Sequence, residues 1–315
     1  ELAKLYTETT GIPVKVVTAA SGQYSDTLTA EMAKTEAPTI FNIGNLSGLA
    51  DWDEYALDLT GTAVAGEQTT DEFNLYNDAG ELKAIGNCFE SYGIIVNKAL
   101  LEKAGHSIDE ITNFETLKAV ADDIHANAAT LGFDAFSAPG LDGSSSWRFS
   151  GHLANMPLFY EFRDDGVTKQ PAAITGAYLD NFRNIWDLYI TDSATAPASL
   201  PTATGDMAEA EFGEGKAVFY QNGTWAWTDL QKNGMKAESI GMIPIYTGAK
   251  GEENQGLATG SENYWCINSK ASDADKKATK DFLKWVVTSK TGIDSLSSAM
   301  GFTTPFKSFN DVKSD

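Results

Sequence analysis

Apolar residues recur along most of the chain at helical or at strand spacing, and the two periods alternate. Leu2, Leu5 and Tyr6 start a helical pattern that stops at Gly11, the residue type favoured just past a helix end. The β-branched run Ile12 to Val17 follows as a strand. Beyond the polar loop Ser21-Gly22-Gln23-Tyr24, Leu28 and Met32 share one face of a second helix, and Pro38 introduces the apolar strand Thr39 to Ile43. Tyr92 to Val96 reads as a buried strand, and Lys98 to Ala104 as a short helix closed by Gly105. In Thr112-Asn113-Phe114-Glu115 the Thr and Glu have capping-box spacing, and behind them Leu117, Val120, Ala121, Ile124 and Ala128 keep helical period until Gly132. Leu179, Phe182, Ile185, Trp186 and Tyr189 mark another helix. Lys216 to Tyr220, Ile240 to Ile245 and Tyr264 to Asn268 read as strands, and Ser272 caps a long helix through Phe282, Leu283, Val286 and Val287. Strands separated by helices predict an α/β protein with parallel sheets.

At 315 residues the chain exceeds the size at which single cores stop growing, so two domains are expected. Neither a repeat nor a low-complexity linker interrupts it, which predicts that the chain passes between domains through ordered segments. No stretch approaches the roughly 18 apolar residues of a membrane span. Forty-four acidic against 23 basic residues give a formal charge of -21, which repels phosphate backbones and anionic lipid surfaces and so argues against nucleic acid as a partner. The acids are spread along the chain, as on a solvated surface. Cys88 and Cys266 have neither the spacing of a zinc site nor the density of a disulfide scaffold. Glu1 already lies inside a helical pattern, so an export signal is expected to have preceded it.

A catalytic centre does not emerge. His106, His125 and His152 are far apart and lack metal-type spacing, so surface positions are expected for them. Gly213-Glu214-Gly215-Lys216 resembles the end of a phosphate loop, but Ala217 stands where Ser or Thr is required and a helical stretch precedes it. Ser144-Ser145-Ser146 lacks the nucleophile-elbow pattern and reads as a polar loop. With 44 carboxylates, pairs for glycoside hydrolysis can be drawn almost anywhere, so that test does not discriminate.

What remains is a set of aromatic residues beside polar turns: Tyr24, Trp52, Trp147, and Trp225 and Trp227 in Gln221-Asn222-Gly223-Thr224-Trp225-Ala226-Trp227. Sugar rings present flat C–H faces that sit on aromatic rings, while their hydroxyls need amide, carboxylate or guanidinium partners beside those rings. A single tryptophan is more often a core filler. Trp225 departs from that expectation because Asn222-Gly223-Thr224 reads as a turn and N-cap, where side chains are exposed.

Several segments resemble the family of bacterial extracellular solute-binding proteins that includes maltose-binding protein. Leu2-Ala-Lys-Leu-Tyr-Thr-Glu-Thr-Thr-Gly-Ile-Pro-Val-Lys-Val16 and the residue after it are similar to the family's first helix and second strand, and Glu36 to Gly44 to its third strand. Ser91-Tyr-Gly-Ile-Ile-Val-Asn-Lys98 resembles the strand that leaves the hinge and ends in Asn-Lys. Phe212 to Trp227, the last helix, and Gly301-Phe-Thr-Thr-Pro-Phe-Lys-Ser308 are similar to further family segments in the expected order. The family's first strand and last helices have no counterpart between Glu1 and Asp315, so the set of site residues expected here is partial.

The resemblance implies an α/β fold of two doubly wound lobes joined by a multi-strand hinge, of the class II periplasmic-binding type, with a ligand cleft between the lobes. It places residues 1–88 plus 269–299 in the N-terminal lobe and 92–264 plus 303–315 in the C-terminal lobe, with hinges near 88–92, 264–268 and 300–304. It sets Cys88 and Cys266 on hinge strands that run side by side, where buried free thiols rank slightly ahead of a disulfide. Trp225 matches a sugar-stacking tryptophan, Glu90 a hinge-proximal carboxylate that bonds sugar hydroxyls, and Asn42 to Ser47, with Asn42 and Asn45, the loop at the cleft edge of the first lobe. Gln23 and Tyr24 of the preceding polar loop join this ligand-binding set, and Trp147 and Arg148 fall near the second lobe's aromatic contact. The expectation is therefore an extracytoplasmic, monomeric carbohydrate-binding subunit, for an oligosaccharide, that delivers its ligand to the permease of an ABC importer. It needs no cofactor or metal and catalyses nothing. A polyamine or other cation ligand is the alternative favoured by the acidity and opposed by the amide-rich and tryptophan-rich segments. A glycoside hydrolase and an adhesion module rank below both.

Overall fold

The computed structural model describes residues 1–20, 23–138, 140–143, 145–168 and 171–312. Ser21 and Gly22 of the polar loop, Ser144 of the serine run and residues 313–315 of the expected C-terminal segment lie outside them. The chain divides into two compact units, Glu1–Glu90 with Thr259–Asp315, and Ser91–Ala258. The strands are β1 Ile40–Ile43, β2 Asn74–Tyr76, β3 Leu82–Gly86, β4 Glu90–Asn97, β5 Asp134–Ser137, β6 Ala217–Gly223, β7 Ile240–Ile243, β8 Ala258–Gly260 and β9 Tyr264–Ile267. Among the described residues no helix is long and apolar enough to cross a membrane.

In the first unit the sheet order is β1-β9-β3-β2 and every pairing is antiparallel. β9 returns from the far end of the chain to lie between β1 and β3, with Phe41 opposite Cys266 and Ile85 opposite Trp265. Strand period 2 sends neighbouring residues to opposite faces. Ile85 and Ile267 accordingly join Leu59, Leu283, Val287 and Phe306, whereas Ala84 and Cys266 join Leu28, Phe41 and Leu49. Helix Asp273–Thr288 starts where expected: the Ser272 hydroxyl accepts from the Asp275 N–H at 3.1 Å. Helix Leu2–Thr10 ends at Gly11, whose φ of 73° is the left-handed conformation that stops a helix without Cβ strain.

Three expectations for this unit change. The run Ile12 to Val17 pairs with no strand among the described residues, and Ile12, Val16 and Val17 are exposed. β-branched residues favour an extended backbone, but a strand forms only where a ladder partner lies alongside. Residues 303–312 belong to this unit and not to the other: Phe89 bridges Thr303, Thr69 N–H donates to Pro305, and Phe306 is fully buried among Leu59, Ile85 and Val286. For the same reason 264–268 and 300–304 are not crossing segments. The chain passes between the units at Glu90–Ser91 and Ala258–Thr259.

The second unit holds the order β5-β6-β4-β7. β5 and β6 are parallel, joined through helices Ala154–Asp165, Leu179–Thr191 and Gly205–Gly213, whereas β4 runs antiparallel to both β6 and β7. The expected parallel direction thus holds where a helical crossover links neighbouring strands, and fails where neighbours come from separate passes of the chain. Ile94 and Phe219 face one core with Leu117, Ile124 and Phe136, and Ile95 and Tyr220 face another with Phe212 and Leu230. Helix Phe114–Ala126 is capped by Asn113, not Thr112: the Asn113 side chain accepts from the Thr116 N–H, and the Thr116 hydroxyl accepts from the Asn113 N–H.

Both cysteines are buried free thiols, and burial pushes each up to about 12. The ladder explains why they do not pair. Gly86 faces Tyr264, and continuing that register sets Cys88 toward position 262, four residues along the chain from Cys266. At roughly 3.3 Å per residue that is about 13 Å, beyond disulfide reach. A thiol assay without reductant is expected to find no fast-reacting group in the native protein and two after denaturation; fewer than two would contradict this register.

Candidate functional site

All seven positions of β6 are buried, and the strand ends at Gly223. A tight turn, Thr224–Ala226, then leads into helix Trp227–Lys232. Within that turn the Trp225 ring folds back over Gly223, where an added Cβ would lie 2.1 Å from the indole. The glycine is therefore required by the ring and not by its own backbone angle. Thr224 is not the cap that the sequence suggests; its hydroxyl accepts from the Ser91 N–H at 3.3 Å.

A widened helical turn, Arg148–Leu153, precedes helix Ala154–Asp165 and carries the second part of the site. Trp147 is 39% exposed, and the Arg148 guanidinium lies 4.4 Å from its ring centre. Arg148 itself is 7% exposed, so it backs the indole and does not reach out to a ligand as expected. Trp147 and Trp225 stand 6.2 Å apart with their planes inclined at 48°. His152 fills the angle, 4.8 Å from Trp147 and 5.5 Å from Trp225. Tyr92 of β4 stacks flat on it at 3.9 Å and 6°, and Asn155 donates to the Tyr92 hydroxyl at 3.1 Å.

His152 is 6% exposed, which corrects the surface position expected for it. Its Nδ1 lies 2.8 Å from Gln221 Nε2, a side chain buried completely in β6. Burial, followed by the charge of Arg148, pushes His152 down to about 4. In contrast, the hydrogen bond to Asp134 raises His125, which lies on the surface. Between about 6.5, where an unfolded histidine titrates, and about 4, the unfolded chain takes up a proton that folded His152 refuses. The native state therefore loses stability from this group as pH falls through that window, by at most about 3 kcal/mol, and loses no more below it. An NMR titration is expected to show His152 still neutral at pH 5.5 with His125 charged; a His152 midpoint near 6.5 would contradict its burial.

The first unit carries the remaining expected residues. Tyr24 is 46% exposed, yet its hydroxyl donates to the Asn42 carbonyl at 3.0 Å and accepts from the Asn42 N–H at 2.8 Å. This pair of bonds fixes the phenol against β1, so the structure brings Tyr24 and Asn42 together. Gln23 is exposed at the start of helix Tyr24–Met32 and makes no side-chain cap. Asn45 caps helix Leu46–Trp52, its side-chain oxygen accepting from the Gly48 N–H at 2.9 Å, so that oxygen is committed to structure. Glu90 is partly buried at the start of β4, and burial, then the charge of Glu262, raises its carboxyl. Trp52 is partly buried and packs against the core on Phe41 and Tyr55.

Tyr92, His152, Asn155 and Gln221 are the residues that the sequence reading misses. By spacing alone only His152 and Asn155, three apart, share one side of a helix; Trp147 is five positions from His152, and the widened turn Arg148–Leu153 brings the two rings together.

The sequence matches the family described as bacterial extracellular solute-binding protein over residues 1–315. No curated protein matches it. Among solved structures it is similar to RafE in complex with raffinose, with a TM-score of 0.76 and 18% identity over 100% of this chain and 79% of that one. A family 1 extracellular solute-binding protein from Bifidobacterium longum subsp. infantis gives a TM-score of 0.67 and 22% identity over 99% of this chain and 79% of that one. Maltose-bound T. maritima MalE3 gives a TM-score of 0.71 and 17% identity over 98% and 78%. At these identities the likeness establishes the fold.

Proposed function

The chain belongs to the family of bacterial extracellular solute-binding proteins, and from that premise we propose that it binds an oligosaccharide and delivers it to the membrane permease of an ABC importer. Members of this family bind solutes and are not enzymes, and their extracellular character puts the chain outside the cytoplasm, as a lipid-anchored or periplasmic monomer in this reading. The observation that carries the ligand class is the pair of indoles, Trp147 and Trp225, inclined at 48° on the second unit. Two partly exposed rings at an angle suit successive sugar rings better than one flat ligand, and Tyr92 and Asn155 supply hydrogen-bonding groups beside them. The first unit offers Gln23, Tyr24, Asn42, the amide nitrogen of Asn45 and Glu90 to hydroxyls. Neighbouring folds described with raffinose, maltose and stachyose support the same class.

A cation ligand has one observation in its favour, the proximity of Glu90 to Glu262. Its metal-ion form has no support: among the described residues no three His, Cys, Asp or Glu side chains are grouped so as to hold such an ion. A thermal-shift screen with raffinose, stachyose, maltose, a chitin oligosaccharide and spermidine separates the two readings. At a ligand concentration of 100 Kd the stabilisation is about 2.7 kcal/mol, or a rise of several degrees. A sugar is expected to give that rise; a response to spermidine alone would reverse the assignment.

A further inference from the structure

We propose that His152 contacts the ligand directly, its Nε2–H donating a hydrogen bond to an oxygen of a sugar resting on Trp147 and Trp225, and that Gln221 is the positioning residue that sets this tautomer. The proposal rests on the sugar reading above and deepens it. Gln221 Nε2 lies 2.8 Å from His152 Nδ1, and an amide nitrogen has only hydrogens to offer. With the amide turned this way Nδ1 accepts, and a neutral imidazole then carries its single proton on Nε2, while Gln221 Oε1 is left sealed without a partner.

The surroundings hold the ring in that state. Gln221 is sealed inside β6, and Tyr92 covers one face of the imidazole, so neither partner can swing away. The positive charge of Arg148 opposes a second proton on the ring. Nε2 has no hydrogen-bond partner among the described residues, and it is not among their sealed polar atoms, so the small exposed part of His152 offers a donor. That donor stands between the two indoles proposed to carry the sugar. It selects for an acceptor oxygen at this position, because a ligand without one leaves the N–H unpaired when the site is covered.

The test uses ring 15N–1H correlation spectra of the whole protein, with the strongest-binding sugar among raffinose, stachyose, maltose and a chitin oligosaccharide. The expected spectrum shows Nδ1 of His152 unprotonated and Nε2 protonated, and the Nε2–H signal moves on saturation with sugar. His152→Phe, which keeps a flat ring against Tyr92, is expected to lose about tenfold or more in affinity. His152→Gln, which returns an N–H near Nε2, should recover to within about threefold of wild type. Gln221→Leu should shift the ring toward the other tautomer. An Nε2–H signal unmoved by saturating sugar overturns the proposal while leaving sugar binding intact. So does a His152→Phe variant that binds as wild type when Trp225→Ala does not. If no sugar of the panel binds, the sugar reading fails and this proposal falls with it.

Discussion

Replacing Trp225 by alanine is expected to weaken sugar binding by about 2 kcal/mol or more, roughly thirtyfold, while the protein still folds. The indole is partly exposed, with one face on Gly223 and part of its edge against the small core of Ile95, Phe212, Tyr220 and Leu230. Its truncation therefore removes ligand surface and some packing, and the stability cost stays below the roughly 3 to 5 kcal/mol of a wholly buried aromatic. Gly223→Ala makes the same point from beneath. A methyl group 2.1 Å from the ring must push the indole off its seat, so binding should fall although Trp225 is still present. Calorimetric titration and thermal melting on both variants check this. Unchanged affinity in a well-folded Trp225→Ala protein sinks the assignment, and so does early melting, which would make the ring core.

The largest effect on folding is expected at a residue outside the pair of indoles. Glu252 is 4% exposed, and its carboxylate accepts from the N–H groups of Phe114, Thr247 and Gly248, each at 2.7 Å. It thereby ties the first turn of helix Phe114–Ala126 to the loop after β7. Glu252→Ala leaves three backbone donors without their acceptor, at about 1 to 3 kcal/mol each in isolation. Allowing for relaxation and water entry, a loss of about 3 to 5 kcal/mol follows, or a fall of roughly 10 °C in Tm. Glu252→Gln keeps one acceptor oxygen and should fall between. Denaturant unfolding measures both; a near-neutral Glu252→Ala would show that the three bonds contribute little.

Elements whose signals are local were legible in the sequence. Gly11, Gly105 and Gly132 all take the left-handed conformation that ends a helix, and Ser272 caps as its position suggests. Strand β3 was not legible because Lys83 interrupts its apolar pattern. That side chain is buried all the same, donating to the Ala56 carbonyl and pairing with Glu81 at 3.0 Å. Ile12 to Val17 failed in the opposite sense: the local preference is present, and among the described residues no partner strand lies alongside. The placement of 303–312 depends on Phe306 finding the core of the first unit, a contact between residues more than two hundred positions apart.

The candidate site divides along the same line. Trp147 and Trp225 could be picked out because each stands beside a polar turn. His152 could not, because what makes it notable is Tyr92 sixty residues earlier and Gln221 on another strand. Arg148 was assigned an outward role that burial denies it, and Asn45 one that capping leaves only to its amide nitrogen, since neither burial nor a cap's partner is visible in residue type alone.

A crystal structure of the protein soaked with the best-binding sugar of the panel shows whether a sugar ring rests on the inclined indoles of the second unit. A pyranose face is expected parallel to Trp225 at van der Waals distance, about 3.5 to 4.0 Å between carbons, with a second ring against Trp147. A bound sugar that leaves both indoles uncovered would contradict that placement.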